Sequence, residues 1–365
     1  MRNTILLVAG FIFLLAGSSF AFHDGGVAEC AGCHTMHNSE DGALIDPDAP
    51  NGNPWLLVDG TPSDVCLGCH SHGSYAVLGA DVLTPTAERG AGDFVFLLED
   101  NLNDGHGGGD TLTDGSWANP LPGYKGGHNI IAPGHGLTED PTAFPGNAGP
   151  GGSFSKSLLG CTSCHDPHGN ENFRLLNTTG PVQDGIYTFT NAAPEATGFS
   201  VFFGSEATGA GTVYTSGMSA WCGNYHAGMH TATAGGALVH PSGHAIGGSI
   251  ATFYGLYDGT TNFVNGVSGT PATSYIPQVP FEGTTRTATG DLFGPDASSQ
   301  VMCLTCHRAH ATSAPNSGRW EFNVTLLEED GLESGSYALP QPYDNNQRSL
   351  CNKCHGKDAG DHLPY

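Results

Sequence analysis

Ten of the eleven cysteines fall in five Cys-x-x-Cys-His units: Cys30-Ala-Gly-Cys33-His34, Cys66-Leu-Gly-Cys69-His70, Cys161-Thr-Ser-Cys164-His165, Cys303-Leu-Thr-Cys306-His307 and Cys351-Asn-Lys-Cys354-His355. From composition alone, such a unit is expected on the order of 0.02 times in this chain. The spacing has a chemical reason. Two cysteines three residues apart on a helical turn can each add to one vinyl group of a haem, and the next residue brings an imidazole under the iron. Structural zinc would use the cysteine pairs but gives no reason for a histidine after every pair. A disulfide scaffold does not habitually repeat this unit. A thioredoxin-like pair would occur once, beside a strand–helix unit. Covalent haem c is the reading that explains all five.

The eleventh cysteine stands in the same frame, Trp221-Cys222-Gly-Asn-Tyr225-His226, with Tyr225 where a second cysteine is expected. Three bland readings exist: an accidental neighbourhood of Cys222 and His226, a lost haem, or a sequence error. An unpaired thiol on an exported chain is a liability. A sixth haem held by one thioether to Cys222 and by His226 is therefore preferred, and the pattern of histidines supports it.

That pattern repeats three times. His34, His165 and His307 are each followed three residues later by another histidine, His37, His168 and His310, and each such motif is preceded by one, His23, His128 and His240. A plain motif then follows, so the unit is His, CxxCHxxH, CxxCH. The altered site at Cys222 fills the plain slot of the second unit. Three two-haem modules result, at about 22–105, 106–235 and 236–365. A histidine three residues beyond the proximal ligand lies on the same side of its own haem. It must therefore ligate a neighbouring haem. With His34, His70, His165, His226, His307 and His355 as proximal ligands, the distal set is His37, His168, His310, His23, His128 and His240. The spare histidines are His72, His106, His135, His230, His244 and His362, with His72 and His230 the foremost substitutes.

The elements that must hold these residues are not ordinary ones. The chain carries 55 Gly and 23 Pro in 365 residues, and only 38% of it is hydrophobic, below the usual share for a globular protein. No long 3.6-residue periodicity is evident and few segments alternate as strands do. Stretches such as Asp104-Gly-His-Gly-Gly-Gly-Asp110 read as loop. The expected fold class is mostly coil with short helices and few strands, wrapped around a row of haems that supply the missing apolar core. A basic start, an apolar run from Ile5 to Ala16 and the small-x-small end Ser19-Phe20-Ala21 predict a signal peptide over 1–21. The apolar run is too short to span a membrane comfortably. The remainder, 22–365, is expected to be secreted and not inserted in a membrane. A net charge of −24 disfavours nucleic acid and anionic membrane as partners.

The segment Phe22-His-Asp-Gly-Gly-Val-Ala-Glu-Cys30-Ala-Gly-Cys33-His34-Thr-Met-His37-Asn-Ser39 resembles the hexahaem outer-surface cytochromes of the OmcS type. Gly127-His-Asn-Ile130, Cys161 to Gly169, Gly217 to Cys222, Val239 to Gly243, Cys303 to Ala311 and Leu350 to His355 look like the same family. The resemblance implies six bis-histidine haems, a largely coil fold and head-to-tail assembly into extracellular electron-conducting filaments. It also implies that His37 ligates the haem of the adjacent protomer attached at Cys303 and Cys306. Tyr225 departs from the family pattern and puts the fourth attachment in question. The function expected is electron transfer rather than enzymatic catalysis, with other electron-transfer proteins or extracellular acceptors as partners. The alternatives are a soluble multihaem shuttle and a reductase with one open iron. A reductase would need an iron without its second histidine, and the histidine supply exceeds demand.

Overall fold

Glycine and proline at this density interrupt regular backbone hydrogen bonding every few residues. The computed structural model describes residues 30–73, 76–80, 91–98, 123–199, 211–230, 242–256, 279–283 and 295–319, together with 322, 333, 334, 337, 338 and 354. The expected signal peptide, the module boundaries near 105 and 235, His23, His240, Cys351 and His355 lie outside those residues, as do His106 and His362. The described chain is mostly coil with short helices and hairpins, as expected. Its helices are α1 Pro62–His70, α2 Cys161–Cys164, α3 Met218–Cys222, α4 Ala227–His230, α5 Gly247–Leu256 and α6 Cys303–Cys306. Every sheet is an antiparallel pair: β1 Ser39–Glu40 with β2 Ala43–Leu44, β3 Gly180–Val182 with β4 Tyr187–Phe189, β5 Glu195–Phe199 with β6 Gly211–Ser216, and β7 Glu333–Ser334 with β8 Tyr337–Ala338. No helix among the described residues is long and apolar enough to cross a membrane.

The haem motifs write their own helices. In α1, Thr61 caps the helix through Asp64 N while the Asp64 carboxylate accepts from Thr61 N, each at 3.1 Å, and Pro62 occupies the first turn, where its missing N–H costs nothing. In α2 and α6 the residue before the second cysteine does the capping. Ser163 Oγ accepts from Gly160 N at 2.9 Å, and Thr305 Oγ1 accepts from Met302 N at 3.0 Å. Both helices end at once because His165 and His307 are extended, with ψ of 141° and 158°. The start of α3 is capped from outside: Met218 N donates to the buried Glu282 carboxylate at 3.0 Å. The ten-residue α5, apolar nearly all round, was not evident as a helix in the sequence. Its Tyr254 is buried against Phe281.

Among the described residues the apolar core is divided into three clusters. One apolar cluster gathers Leu67, Leu78, Phe94, Phe96, Ile130 and Leu137 beside Cys161. A second, around Phe189, Tyr214, Trp221 and Met302, lies beside Cys164 and Cys222, and a third, of Tyr254, Val279 and Phe281, lies beside Cys306 and Cys354. The clusters follow the cysteines. The CHxxH segment of the fifth motif runs back through the first half of the chain. His310 N donates to Ala91 O at 2.6 Å, His128 N to His310 O at 2.9 Å and Thr312 N to Gly126 O at 2.8 Å. Gly127 has no space for a Cβ there, because the His310 carbonyl occupies it. Segments near residues 91, 127 and 311 are thus hydrogen-bonded together although they lie far apart in the chain.

Candidate haem-binding sites

Residues far apart in sequence give His34, His165 and His307 the same support. His34 Nδ1 donates to Trp55 O at 2.9 Å, His165 Nδ1 to Arg174 O at 2.8 Å and His307 Nδ1 to Asn316 O at 3.0 Å. Each acceptor sits in a 3-10 turn at positive φ: 54°, 49° and 59°. That left-handed kink turns the carbonyl inward at a cost of about 1–2 kcal/mol for a residue with a side chain. The flanking backbone repeats too. His34, His165 and His307 form antiparallel bridges with Leu57, Leu176 and Gly318. Thr35, Asp166 and Arg308 N donate to Leu56, Leu175 and Ser317 O, at 2.7, 2.8 and 2.7 Å. A carbonyl on Nδ1 fixes the tautomer and leaves the Nε2 lone pair for a metal. This support was missed in the sequence. Its trace there is Asn53-Pro-Trp-Leu-Leu57 against Asn172-Phe-Arg-Leu-Leu176, a likeness too short to stand out beside the third copy, Ala314-Pro-Asn-Ser-Gly318.

The structure brings three pairs of histidine rings together. Centroids of His34 and His168 are 6.3 Å apart, those of His165 and His310 6.4 Å, and those of His128 and His226 5.9 Å. Two metal–nitrogen bonds of about 2 Å plus the two half-rings put axial imidazoles on one iron about 6 Å apart, centroid to centroid. The spacing fits one iron between each pair. His37 is exposed, and no histidine ring faces it or His307 among the contacts of the described residues; His307 meets Phe322 edge-on at 5.5 Å. His72 bonds its neighbour Ser71 through Nδ1, at 2.8 Å.

The cysteines follow one another in sequence order. Cys33 and Cys69 lie within electrostatic reach of each other. The Cys66 thiol donates to Cys161, which Ser63 Oγ also steadies by accepting from its backbone N–H at 3.1 Å. Cys222 likewise donates to Cys303, and Ser219 Oγ accepts from Cys303 N at 3.2 Å. Between these junctions Cys164 lies close to Cys222. None of the ten described cysteines is joined in a disulfide, and no three His, Cys, Asp or Glu side chains among the described residues converge on one point as a zinc site would need. Burial disfavours the charged form of four of the imidazoles. His128 is lowered to about 4 and His310 to about 3, in each case chiefly by desolvation and then by a neighbouring histidine. His165 and His307 are lowered by the same cause. Imidazoles that burial keeps from protonating and thiols outside any disulfide are the donor set a covalently held bis-histidine haem requires.

The altered fourth site keeps this construction. Met218–Cys222 is helical, His226 N donates back to Cys222 O at 3.0 Å, and His226 Nδ1 donates to Pro150 O at 2.7 Å. Gly152 lies so close to the Tyr225 carbonyl that no Cβ fits there.

The comparisons with known proteins agree with this geometry. A family model described as a doubled CXXCH motif matches residues 156–182, which hold the third site and His168. The chain is 31% identical to the C-type cytochrome OmcS of Geobacter sulfurreducens, over 98% of this chain and 99% of that one. Two solved structures are similar along 92% of this chain and the whole of theirs, each with a TM-score of 0.75. They are the OmcS nanowires of Geobacter sulfurreducens, seen by cryo-electron microscopy, at 28% identity, and the outer membrane cytochrome S filament of the same organism, at 29%.

Proposed function

The chain belongs to the family of the C-type cytochrome OmcS, and from that premise we propose that it carries electrons outside the cell along a row of haems that continues through a filament of its own copies. The observation that carries this reading is the set of three imidazole pairs at 5.9–6.4 Å, strung along cysteine pairs that succeed each other in order. Haem c, when bound at these sites, supplies the one-electron couple. The chain's own residues do the rest: backbone carbonyls aim the Nε2 of His34, His165, His226 and His307, burial disfavours protonation of His128, His165, His307 and His310, and apolar clusters flank Cys161, Cys164, Cys222, Cys306 and Cys354.

In this reading six haems are held by Cys30 and Cys33, Cys66 and Cys69, Cys161 and Cys164, Cys222 alone, Cys303 and Cys306, and Cys351 and Cys354. His168 and His34 would together hold the iron of the first site, His310 and His165 that of the third, and His128 and His226 that of the fourth. A rule follows from the first two pairs: the CHxxH histidine serves the site two places earlier. Carried past the start of the chain, it gives His37 to the fifth site of an adjacent copy, opposite His307. His23 and His240 are the remaining distal ligands, and residues 1–21 direct export. Intact mass of the mature protein is expected to give six haems, and the oxidised protein a wholly low-spin resonance spectrum. Five haems would remove the fourth site, and a high-spin signal would remove complete bis-histidine ligation.

A further inference from the structure

A site with one cysteine needs something else to hold its loop. Tyr225 stands in the second cysteine's place, yet its ring is packed rather than loose. Its centroid lies 5.1 Å from Tyr187, stacked, 5.1 Å from Phe189, edge-on, and 4.6 Å from Phe154. Its hydroxyl donates to Ser163 O at 2.6 Å. Ser163 lies between Cys161 and Cys164, so this bond joins the fourth attachment loop to the third. The residue before it is held as well. Asn224 Oδ1 accepts from Thr190 N and Asn191 N, each at 2.9 Å, and Tyr187 Oη donates to Asn224 O at 2.9 Å. Asn224 and Tyr225, two of the three residues between Cys222 and His226, are thus tied to neighbouring backbone.

We propose that Tyr225 is the positioning residue that replaces the second thioether at this site, pinning the Cys222–His226 loop to the backbone of the third site so that a haem joined by one bond keeps its ligand. The inference rests on the reading that a haem occupies this site. The Cys222 thiol adds across one vinyl group: a C–S and a C–H bond form, the S–H bond and the C=C π bond are consumed, and no oxidant or reductant is needed. The other vinyl finds no thiol at position 225 and keeps its double bond. Tyr225 therefore acts on His226 through the loop and not on the iron.

The test uses the full-length holoprotein. Its pyridine haemochrome is expected to contain one haem whose absorption is shifted to the red by the retained vinyl. Tyr225→Phe keeps that haem and the aromatic packing but loses the bond to Ser163. With cyanide as probe, one haem should then exchange its axial ligand roughly five- to tenfold faster, the effect of one lost internal hydrogen bond. Tyr225→Cys should abolish the red-shifted band and return exchange to the slow rate. Equal cyanide exchange in Tyr225→Phe and the natural protein would overturn the proposal, as would a six-haem protein with no vinyl-bearing haem. A mass of five haems with a Cys222 thiol open to alkylation would overturn the underlying reading as well.

Discussion

His128 and His310 show how desolvation leaves an imidazole ready to act as a ligand. Each ring is desolvated and faces other histidines, so its proton is expelled and the imidazole stays neutral well below the ordinary value of 6.5. The consequence for stability has a definite sign. An unfolded histidine takes up its proton near 6.5, whereas these two wait until about 4 and about 3. Between those limits the unfolded chain binds more protons, so their contribution is complete above 6.5 and is lost as the pH falls through that interval. The denaturant midpoint should hold steady at neutral pH and fall between about pH 6.5 and pH 3. A midpoint that stays unchanged down to pH 3 would count against neutral, desolvated rings. The residues Trp55, Arg174 and Asn316 make the complementary point. They accept left-handed backbone because what each site needs from them is a carbonyl direction, not a side chain.

Among the elements, the junctions between sites repeat as closely as the sites do. Ser63 on α1 receives the backbone N–H of Cys161, and Ser219 on α3 receives that of Cys303. In both cases the serine lies three residues before the first cysteine of a plain-slot site, so one helical turn carries both the junction and the attachment. Both serines are buried, at 2% and 1% exposure, and a lost hydroxyl therefore leaves an amide without compensation from water. Ser63→Ala and Ser219→Ala should each cost about 1–3 kcal/mol, read as an earlier denaturant midpoint of the holoprotein. Unchanged midpoints would mean that the sites are held apart from these junctions. The helices themselves are too short to persist alone. They exist because the caps at Thr61, Ser163 and Thr305 and the buried clusters beside the cysteines hold them in place.

At the scale of the whole molecule, a chain of net charge −24 is expected to assemble with copies of itself, and haem propionates add further negative charge. Repulsion between such protomers is long-ranged at low salt and fades within about 10 Å at 0.1 M. Filament formation should therefore be promoted by salt or divalent cations, as light scattering and electron microscopy across ionic strengths would show; indifference to salt would contradict it. His37→Ala should leave a folded protein with one high-spin haem and few or no filaments. Normal filaments with an unaltered spectrum would end the cross-protomer role of His37. The haem chemistry, the number of attachment motifs, the three-fold histidine pattern and the scarcity of regular structure were all legible in the sequence, because covalent attachment demands adjacent residues and a poor apolar content precludes an ordinary core. The sequence also left traces of α5 and of the kinked turns that went unread, since neither an all-round apolar decamer nor a five-residue likeness carries a periodic signal. Which histidine faces which, that the sites succeed each other in chain order, and that the fifth motif threads back beside His128 were decided only in three dimensions. The facing histidine rings join residues up to 145 positions apart, and nothing in the local spacing of a coil chain records where its distant loops will meet.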